Sequence, residues 1–126
     1  MELKPKKKVL VVDDEGFIAD MIAEFCEIHG FSSRVLESGE NVLEVAKAFM
    51  PDLITLDLEM PGISGADVIS QLKDEPSTKE IPIIIVSAYL SSYRSHEALK
   101  HSRAVLSKPL TMARLAEHLQ ILLKAA

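Results

Sequence analysis

Short apolar runs recur along the chain, and each of them ends at a polar residue. The runs KVLVV, DLITL, IPIIIV and AVLS are rich in valine, isoleucine and leucine. They do not alternate polar with apolar residues, as a half-exposed strand would. Continuous apolar runs of this length are typical of strands that are buried on both faces of a parallel sheet. The pattern predicts such strands over residues 8–12, 52–58, 81–87 and 104–107.

The residues after the first of these runs are predicted to form a helix. Its apolar positions recur at intervals of three and four residues: Phe17, Ile18, Met21, Ile22 and Phe25. Gly30 is a natural stop for this first helix. The segment SSRVLES predicts a shorter second strand. Ser38 is placed to cap a second helix, which we expect to end before Pro51.

Three further helices are predicted over residues 64–73, 91–100 and 112–124. The second of these three is the least amphipathic, because serine, arginine and histidine leave it little apolar face. Five repeats of strand then helix predict a doubly wound α/β domain, with right-handed crossovers that place helices on both faces of the sheet. No linker, internal repeat or low-complexity segment divides the chain, so we expect residues 1–126 to form a single domain.

Composition narrows the possible partners and the compartment. The net charge of −5 and the scarcity of aromatic residues disfavour direct binding to nucleic acid. No apolar stretch reaches the roughly 20 residues of a membrane helix, and MELKPKKK lacks the apolar segment of a signal peptide. The single cysteine, Cys26, excludes an internal disulfide. We therefore expect a cytoplasmic protein with no membrane partner.

The polar residues that end the predicted strands are the candidate functional residues. They are Asp13, Asp14, Asp57, Ser87 and Lys108. In an open α/β sheet, the ligand site lies beyond the carboxyl ends of the strands. The strand order along the chain therefore predicts three carboxylates, a hydroxyl and an ammonium at one edge of the sheet, a set suited to phosphate and metal.

Three carboxylates at one edge need a compensating charge. Two of them repel by about 4 kcal/mol at a separation of about 4 Å in a medium of effective dielectric constant about 20. Mg²⁺ suits such a site, because it prefers oxygen ligands and keeps positions for water and a phosphoryl oxygen. Asp57 lies alone at the end of the central strand, whereas Asp13 and Asp14 form a pair suited to clamp the metal. We expect a Mg²⁺-dependent phosphoacceptor with covalent modification at Asp57.

Four motifs resemble a known family. VLVVDDE, LITLDLEMPGISG, IPIIIVSA and VLSKPL are similar, in order and spacing, to the motifs of bacterial two-component response-regulator receiver domains. The resemblance extends from about residue 7 to residue 123. It implies a flavodoxin-like (βα)5 fold, with a five-stranded parallel sheet in the order 2-1-3-4-5.

The resemblance also implies roles for individual residues. Asp57 would accept a phosphoryl group from the phosphohistidine of a histidine kinase or a histidine phosphotransfer protein. The metal would be held by three carboxylates and one backbone carbonyl: Asp13, Asp14, Asp57 and Glu59. Ser87 and Lys108 would bind the phosphoryl group after transfer, and the Lys108–Pro109 peptide bond would be cis.

Two positions depart from the family pattern. Val105 occupies the position where family members usually carry a tyrosine or phenylalanine that couples the site to the face of the fourth helix, the fifth strand and the last helix. We therefore expect Tyr89, in the loop after the fourth strand, to take part in the switch to a downstream protein on that face. The side chain of Glu59 adds a carboxylate beside Asp57 and is expected to modulate the lifetime of the phosphoryl group.

Two other functions are compatible with parts of this pattern. The absence of the usual aromatic residue at Val105 is compatible with a constitutive protein-interaction receiver in which phosphorylation is vestigial. An aspartate-nucleophile phosphatase would also use Asp57, Mg²⁺ and a lysine, but the chain has no segment to build a cap domain or substrate pocket. We expect no turnover of a separate substrate. The pattern fits a stand-alone receiver and a receiver excised from a longer protein equally well.

Overall fold

The computed structural model of the protein describes residues 6–88 and 99–124. The strands are β1 (Lys8–Val12), β2 (Ser32–Leu36), β3 (Leu53–Leu56), β4 (Ile83–Ser87) and β5 (Ala104–Ser107). The helices are α1 (Gly16–Ile28), α2 (Val42–Phe49), α3 (Gly65–Asp74) and the C-terminal helix (Met112–Lys124). Most of the predicted helix over residues 91–100 lies outside the described residues.

All five strands form one parallel sheet in the order β2-β1-β3-β4-β5. This order confirms the predicted doubly wound, flavodoxin-like architecture. The last residues of β1 and β3 are partners in the register, and so are Ser87 and Ser107 at the ends of β4 and β5. Because the strands are parallel, their carboxyl ends meet at one edge of the sheet.

Each face of the sheet has its own apolar core, because successive residues of a strand point to opposite faces. On one face, strand residues pack with α2 and α3: Leu10, Val12, Ile54, Leu56, Ile83 and Ile85 with Val42, Ala46, Val68, Ile69 and Leu72. On the other face, they pack with α1 and the C-terminal helix: Val9, Val11, Leu53, Ile84, Val86 and Leu106 with Ala19, Ile22, Cys26, Leu115 and Leu119. Burial on both faces accounts for the continuous apolar runs.

Two local expectations about helices are wrong. Phe17 is 80% exposed, because the buried stripe of α1 runs through Ala19 and Ile22. Phe17 precedes Ala19 by two residues, about 200° around the helix, and so faces away from the sheet. Ser38 does not cap the second helix: α2 begins at Val42, and the Ser38 hydroxyl accepts the backbone N–H of Glu40 within the preceding turn.

The start of α3 is tied closely to the end of β3. Ser64 is the N-cap, and its Oγ accepts the backbone N–H of Asp67 at 3.2 Å. A Cβ atom on Gly65 would lie 2.5 Å from the Cα of Leu58 and 2.6 Å from the carbonyl oxygen of Asp57. Glycine therefore permits the approach that places α3 directly against the loop after Asp57.

Among the residues that the structure describes, no helix is both long and apolar enough to span a membrane. The longest helices are α1 and the C-terminal helix, with 13 residues each. A helix of 13 residues extends for about 20 Å, whereas the hydrocarbon core of a bilayer is about 30 Å thick.

Candidate functional site

Three aspartates meet at the carboxyl edge of the sheet. One carboxylate oxygen from each of Asp13, Asp14 and Asp57 lies within 4.8 Å of the others. The backbone N–H of Asp57 donates to the carbonyl of Val12 at 3.0 Å, so the ends of β3 and β1 are joined directly. Asp13 and Asp57 are buried, whereas Asp14 is half-buried. The parallel register thus brings together the three acids that the sequence singled out.

Both carboxylate oxygens of Asp57 are engaged. Oδ1 accepts the backbone N–H of Glu59 at 3.1 Å, and Oδ2 accepts Nζ of Lys108 at 3.2 Å. These two bonds fix the plane of the carboxylate beside the other two acids. The side chain of Glu59, two residues after Asp57, is exposed to solvent.

The ammonium of Lys108 lies among three carboxylates. Its Nζ is 2.9 Å from Oε1 of Glu15, 3.0 Å from Oδ2 of Asp13 and 3.2 Å from Oδ2 of Asp57. The backbone N–H of Lys108 donates to the carbonyl of Ser87 at 3.1 Å, which anchors the chain after β5 to the end of β4. The Lys108–Pro109 peptide bond is cis.

Burial raises the pKa of Asp57 from its ordinary value of 3.8 to about 6. The N–H of Glu59 opposes this rise by stabilising the charged form. The carboxylate of Asp13 adds to it, and the ammonium of Lys108 opposes it. At neutral pH the carboxylate of Asp57 still outnumbers its acid by about tenfold. Asp57 is therefore present mainly in the form that can attack phosphorus.

Opposing effects act on the pKa of Lys108. Burial lowers the pKa of this ammonium, but its hydrogen bonds with Glu15 and Asp13 and the charges of Asp57 and Asp13 raise it, and the net direction is upward. Lys108 is therefore positively charged at neutral pH. The site contains a permanent cation beside Asp57.

Glu15 was missed as a site residue in the sequence. Its carboxylate forms the shortest of the three contacts to Lys108, and its side chain is 59% exposed, whereas that of Lys108 is 10% exposed. Glu15 and Lys108 are 93 residues apart in the chain. The position of Glu15 directly after the acidic pair, at the start of α1, was the available signal, because that position faces the same edge of the sheet.

The remaining predicted site residues are Ser87, Val105, Tyr89 and Glu59. Ser87 is fully buried at the end of β4. Val105 is opposite Ile85 in the sheet, and its half-buried side chain packs against the core on the α2 and α3 face. Tyr89 lies outside the described residues. Binding of the metal by the backbone carbonyl of Glu59 stays a prediction.

The acidic cluster fits a divalent cation. Three carboxylates supply the hard oxygen ligands that Mg²⁺ prefers. Oδ2 of Asp13 is buried, and Nζ of Lys108 lies 3.0 Å from it. One ammonium does not balance the charge of three neighbouring carboxylates, so a divalent cation would compensate the remainder. Asp13, Asp14 and Asp57 are therefore the residues that would hold the metal.

A parallel sheet in this order, with an aspartate at the end of its central strand beside an acidic pair and a lysine, defines the receiver class of α/β domains. The model of the response regulator receiver domain family matches residues 9–120. The chain belongs to this family. Receiver domains of this family are signalling switches and not classical enzymes. Receiver domains interact with histidine kinases or phosphotransfer proteins and with downstream targets.

Individual relatives agree with this assignment. The polar-differentiation response regulator DivK of Brucella ovis is 30% identical over 113 residues, which are 88% of this chain and 91% of the relative. The receiver domain of the Francisella response regulator 1452 is 32% identical, with a TM-score of 0.83 and coverage of 94% and 98% of the two chains. The chemotaxis response regulator CheY4 of Vibrio cholerae has a TM-score of 0.84 at 24% identity, with coverage of 94% and 99%.

Proposed function

We propose that Asp57 accepts a phosphoryl group from the phosphohistidine of a histidine kinase or a histidine phosphotransfer protein, in a reaction that depends on Mg²⁺. The observation that carries this proposal is the carboxylate of Asp57, held by the N–H of Glu59 and the ammonium of Lys108 within one acidic cluster. An oxygen of Asp57 attacks phosphorus, the P–N bond breaks, and the imidazole nitrogen leaves with the electron pair.

The surrounding residues stabilise the charge of the transferred group. Lys108 supplies a permanent cation at 3.2 Å from Asp57, and Ser87 ends the neighbouring strand with a hydroxyl. Mg²⁺, when bound by the three aspartates, supplies further positive charge to the phosphoryl oxygens. Preorganised charges in a site with little water are the main means by which proteins assist phosphoryl transfer.

The signal would pass from this edge to a downstream protein. Phosphorylation places new negative charge beside Lys108 and Ser87, and the face of the fourth predicted helix, β5 and the C-terminal helix would carry the change. Val105 packs against the core and has no ring to reorient. We therefore propose that Tyr89 replaces the usual aromatic switch, with Glu59 setting how long the phosphoryl group persists.

We also propose a single domain and a cytoplasmic location. Residues 1–126 would act as one receiver domain, because the family match and the single sheet extend across nearly all of the chain. A cytoplasmic location agrees with a single cysteine that is buried as a free thiol. Burial raises the pKa of Cys26 to about 12, so this thiol is unreactive.

Beryllofluoride, which mimics a phosphoryl group on aspartate, tests the switch. With Mg²⁺ present, we expect it to shift the amide NMR signals of β4 and β5, including that of Val105, in the wild-type protein and not in Asp57→Ala. Shifts confined to the immediate neighbours of Asp57 would favour a constitutive interaction domain over a switch. Equal shifts in Asp57→Ala would contradict the proposed acceptor.

A further inference from the structure

A basic cleft lies at the edge of the sheet opposite to Asp57. It is formed by the end of α3, the segment before β4 and the segment before β5, and its volume is about 280 Å³. Its charged and titratable lining residues are Lys73, Lys79, Glu80, Lys100, His101 and Arg103. We call this group of residues the basic cleft. It shares no residue with the phosphoacceptor site.

The charge of the basic cleft is opposite to that of the whole chain. Four lysine or arginine side chains line it together with one glutamate, whereas the chain as a whole carries a net charge of −5. Cations that gather at one place on an acidic protein repel one another unless an anion compensates them. Lys100 has a further interaction of its own, but Lys73, Lys79 and Arg103 still outnumber Glu80. This local excess of positive charge favours an anionic ligand.

Lys73 is fixed at this cleft by the backbone. Its Nζ donates to the carbonyl of Lys79 at 3.0 Å and to that of Ile81 at 3.3 Å. An ammonium has three N–H donors, so one donor is available to a ligand. Burial lowers the pKa of Lys73, Glu80 opposes this, and the nearby charge of Arg103 lowers it further. An anion bound beside Lys73 would relieve this repulsion.

Arg103 supplies a second cation with a fixed backbone. Its N–H donates to the carbonyl of Ile83 at 2.8 Å, which ties the start of β5 to the start of β4. The residue is exposed. A guanidinium has five donors in a planar arrangement that matches two oxygens of one phosphate. Lys73 therefore offers an ammonium, and Arg103 a planar guanidinium, to a ligand in the same cleft.

We propose that the basic cleft binds a soluble anion that carries two or more linked phosphate groups. Its volume is close to the lower end of small-molecule sites, about 300 Å³, which exceeds the needs of a single oxyanion. Several cations around one cleft suit several linked phosphates. A long nucleic acid or an anionic membrane would also lie near the acidic rest of the protein. Repulsion from that negative charge disfavours both as ligands.

Inorganic tripolyphosphate is the probe for this proposal. In Mg²⁺-free buffer, we expect saturable shifts of the amide NMR signals of residues 79–80 and 100–103, with orthophosphate binding at least about tenfold more weakly because it has fewer oxygens to share among the cations. Arg103→Gln and Lys73→Gln should each weaken binding by about tenfold. Arg103→Gln keeps the test valid if Lys73→Gln fails to fold. Arg34→Gln is the matched control, because Arg34 is exposed on β2 at the other side of the sheet.

The outcomes separate a site from general attraction. An unchanged affinity in Arg34→Gln, together with the losses in the two cleft variants, supports the proposal. Equal weakening by Arg34→Gln and Arg103→Gln would overturn it, as would shifts that do not saturate. Equal binding of orthophosphate and tripolyphosphate would overturn the proposed class of ligand.

Discussion

At the scale of single residues, the three N–H donors of the Lys108 ammonium already face three carboxylates. Its ammonium contacts Glu15, Asp13 and Asp57, and Glu15 is the most exposed of these three acids. When a phosphoryl group joins Asp57, its oxygens become a further acceptor for the same ammonium. Glu15 therefore competes with the phosphoryl group for Lys108.

This competition predicts the effect of removing the Glu15 charge. We expect Glu15→Gln to bind beryllofluoride about two- to fivefold more tightly in the presence of Mg²⁺, the range that an exposed ion pair contributes. Titration followed by amide NMR signals measures the affinity. Glu15→Asp keeps the charge and is the control, with an expected affinity close to that of the wild type. Unchanged or weaker binding by Glu15→Gln would show that Glu15 does not compete for Lys108.

The raised pKa of Asp57 predicts how stability depends on pH without metal. The folded protein holds a proton on Asp57 up to about pH 6, whereas the unfolded chain loses it near 3.8. The contribution of this group to stability is therefore complete below about pH 4 and is lost as the pH rises through about 6. Asn cannot ionise, so Asp57→Asn should gain roughly 1–3 kcal/mol relative to the wild type between pH 4 and pH 8.

Urea unfolding in Mg²⁺-free buffer at these two pH values measures that difference. Asp20, which is exposed on α1, gives the matched control Asp20→Asn, for which we expect the same difference from wild type at both pH values. A gain for Asp57→Asn that is equal at both pH values would contradict a raised pKa. A loss of stability in Asp57→Asn that grows with pH would show that the pKa of Asp57 is lowered and not raised.

The positions of site residues were predictable from the sequence where strand order alone decides them. Asp13, Asp14 and Asp57 follow buried strands, so the topology brings them together. Glu15 depends on the approach of a lysine 93 residues away, and this distance in sequence hid the contact. Phe17 is apolar at helical spacing but lies outside the buried stripe, because the pattern gives no information on which flank of a stripe faces the sheet.

At the scale of elements, the join between β3 and α3 sets the position of Asp57. The N–H of Gly65 donates to the carbonyl of Leu58 at 3.0 Å, and the backbone around Gly65 leaves no room for a Cβ atom. Any side chain there must displace the backbone that carries Asp57. The glycine is thus a requirement of the site as well as of the fold.

Substitution of this glycine tests the join. We expect Gly65→Ala to lower the free energy of unfolding by about 1–3 kcal/mol, despite the better helix propensity of alanine. Gly16→Ala is the matched control at the start of α1: its Cβ would meet only the side chain of Glu37, which is exposed and flexible, with Oε1 at 2.6 Å. We expect the control to change stability by less than about 0.5 kcal/mol. Equal effects of the two substitutions in urea unfolding would contradict this account.

Element types were easier to predict than element boundaries. Four apolar runs and the segment SSRVLES predicted the five strands, but β3 covers Leu53–Leu56 and not residues 52–58, because the parallel ladder ends where the loop to α3 begins. The second helix begins after Asn41 and not after Ser38, since several polar residues in succession offered more than one possible start. The start of the third helix was predicted at residue 64, and Ser64 is the N-cap of α3.

At the scale of the whole molecule, the two charged edges of the sheet differ in sign. The carboxyl edge gathers the acidic cluster with Lys108, and the opposite edge holds the basic cleft. The fold and the acidic edge were predictable, because a parallel sheet directs every strand end to the same side. The basic cleft was not, because its cations come from the end of α3 and from the segments before β4 and β5, which are close together only in the folded chain.

The central claim is that Asp57 is the phosphoacceptor and that transfer depends on Mg²⁺. Intact-protein mass spectrometry after incubation with acetyl phosphate tests it most directly. The account predicts a mass increase of one phosphoryl group for the wild type with Mg²⁺, retained in Asp20→Asn, and no increase for Asp57→Asn or for the wild type with the metal chelated. An equal mass increase in Asp57→Asn, or in the chelated wild type, would contradict it.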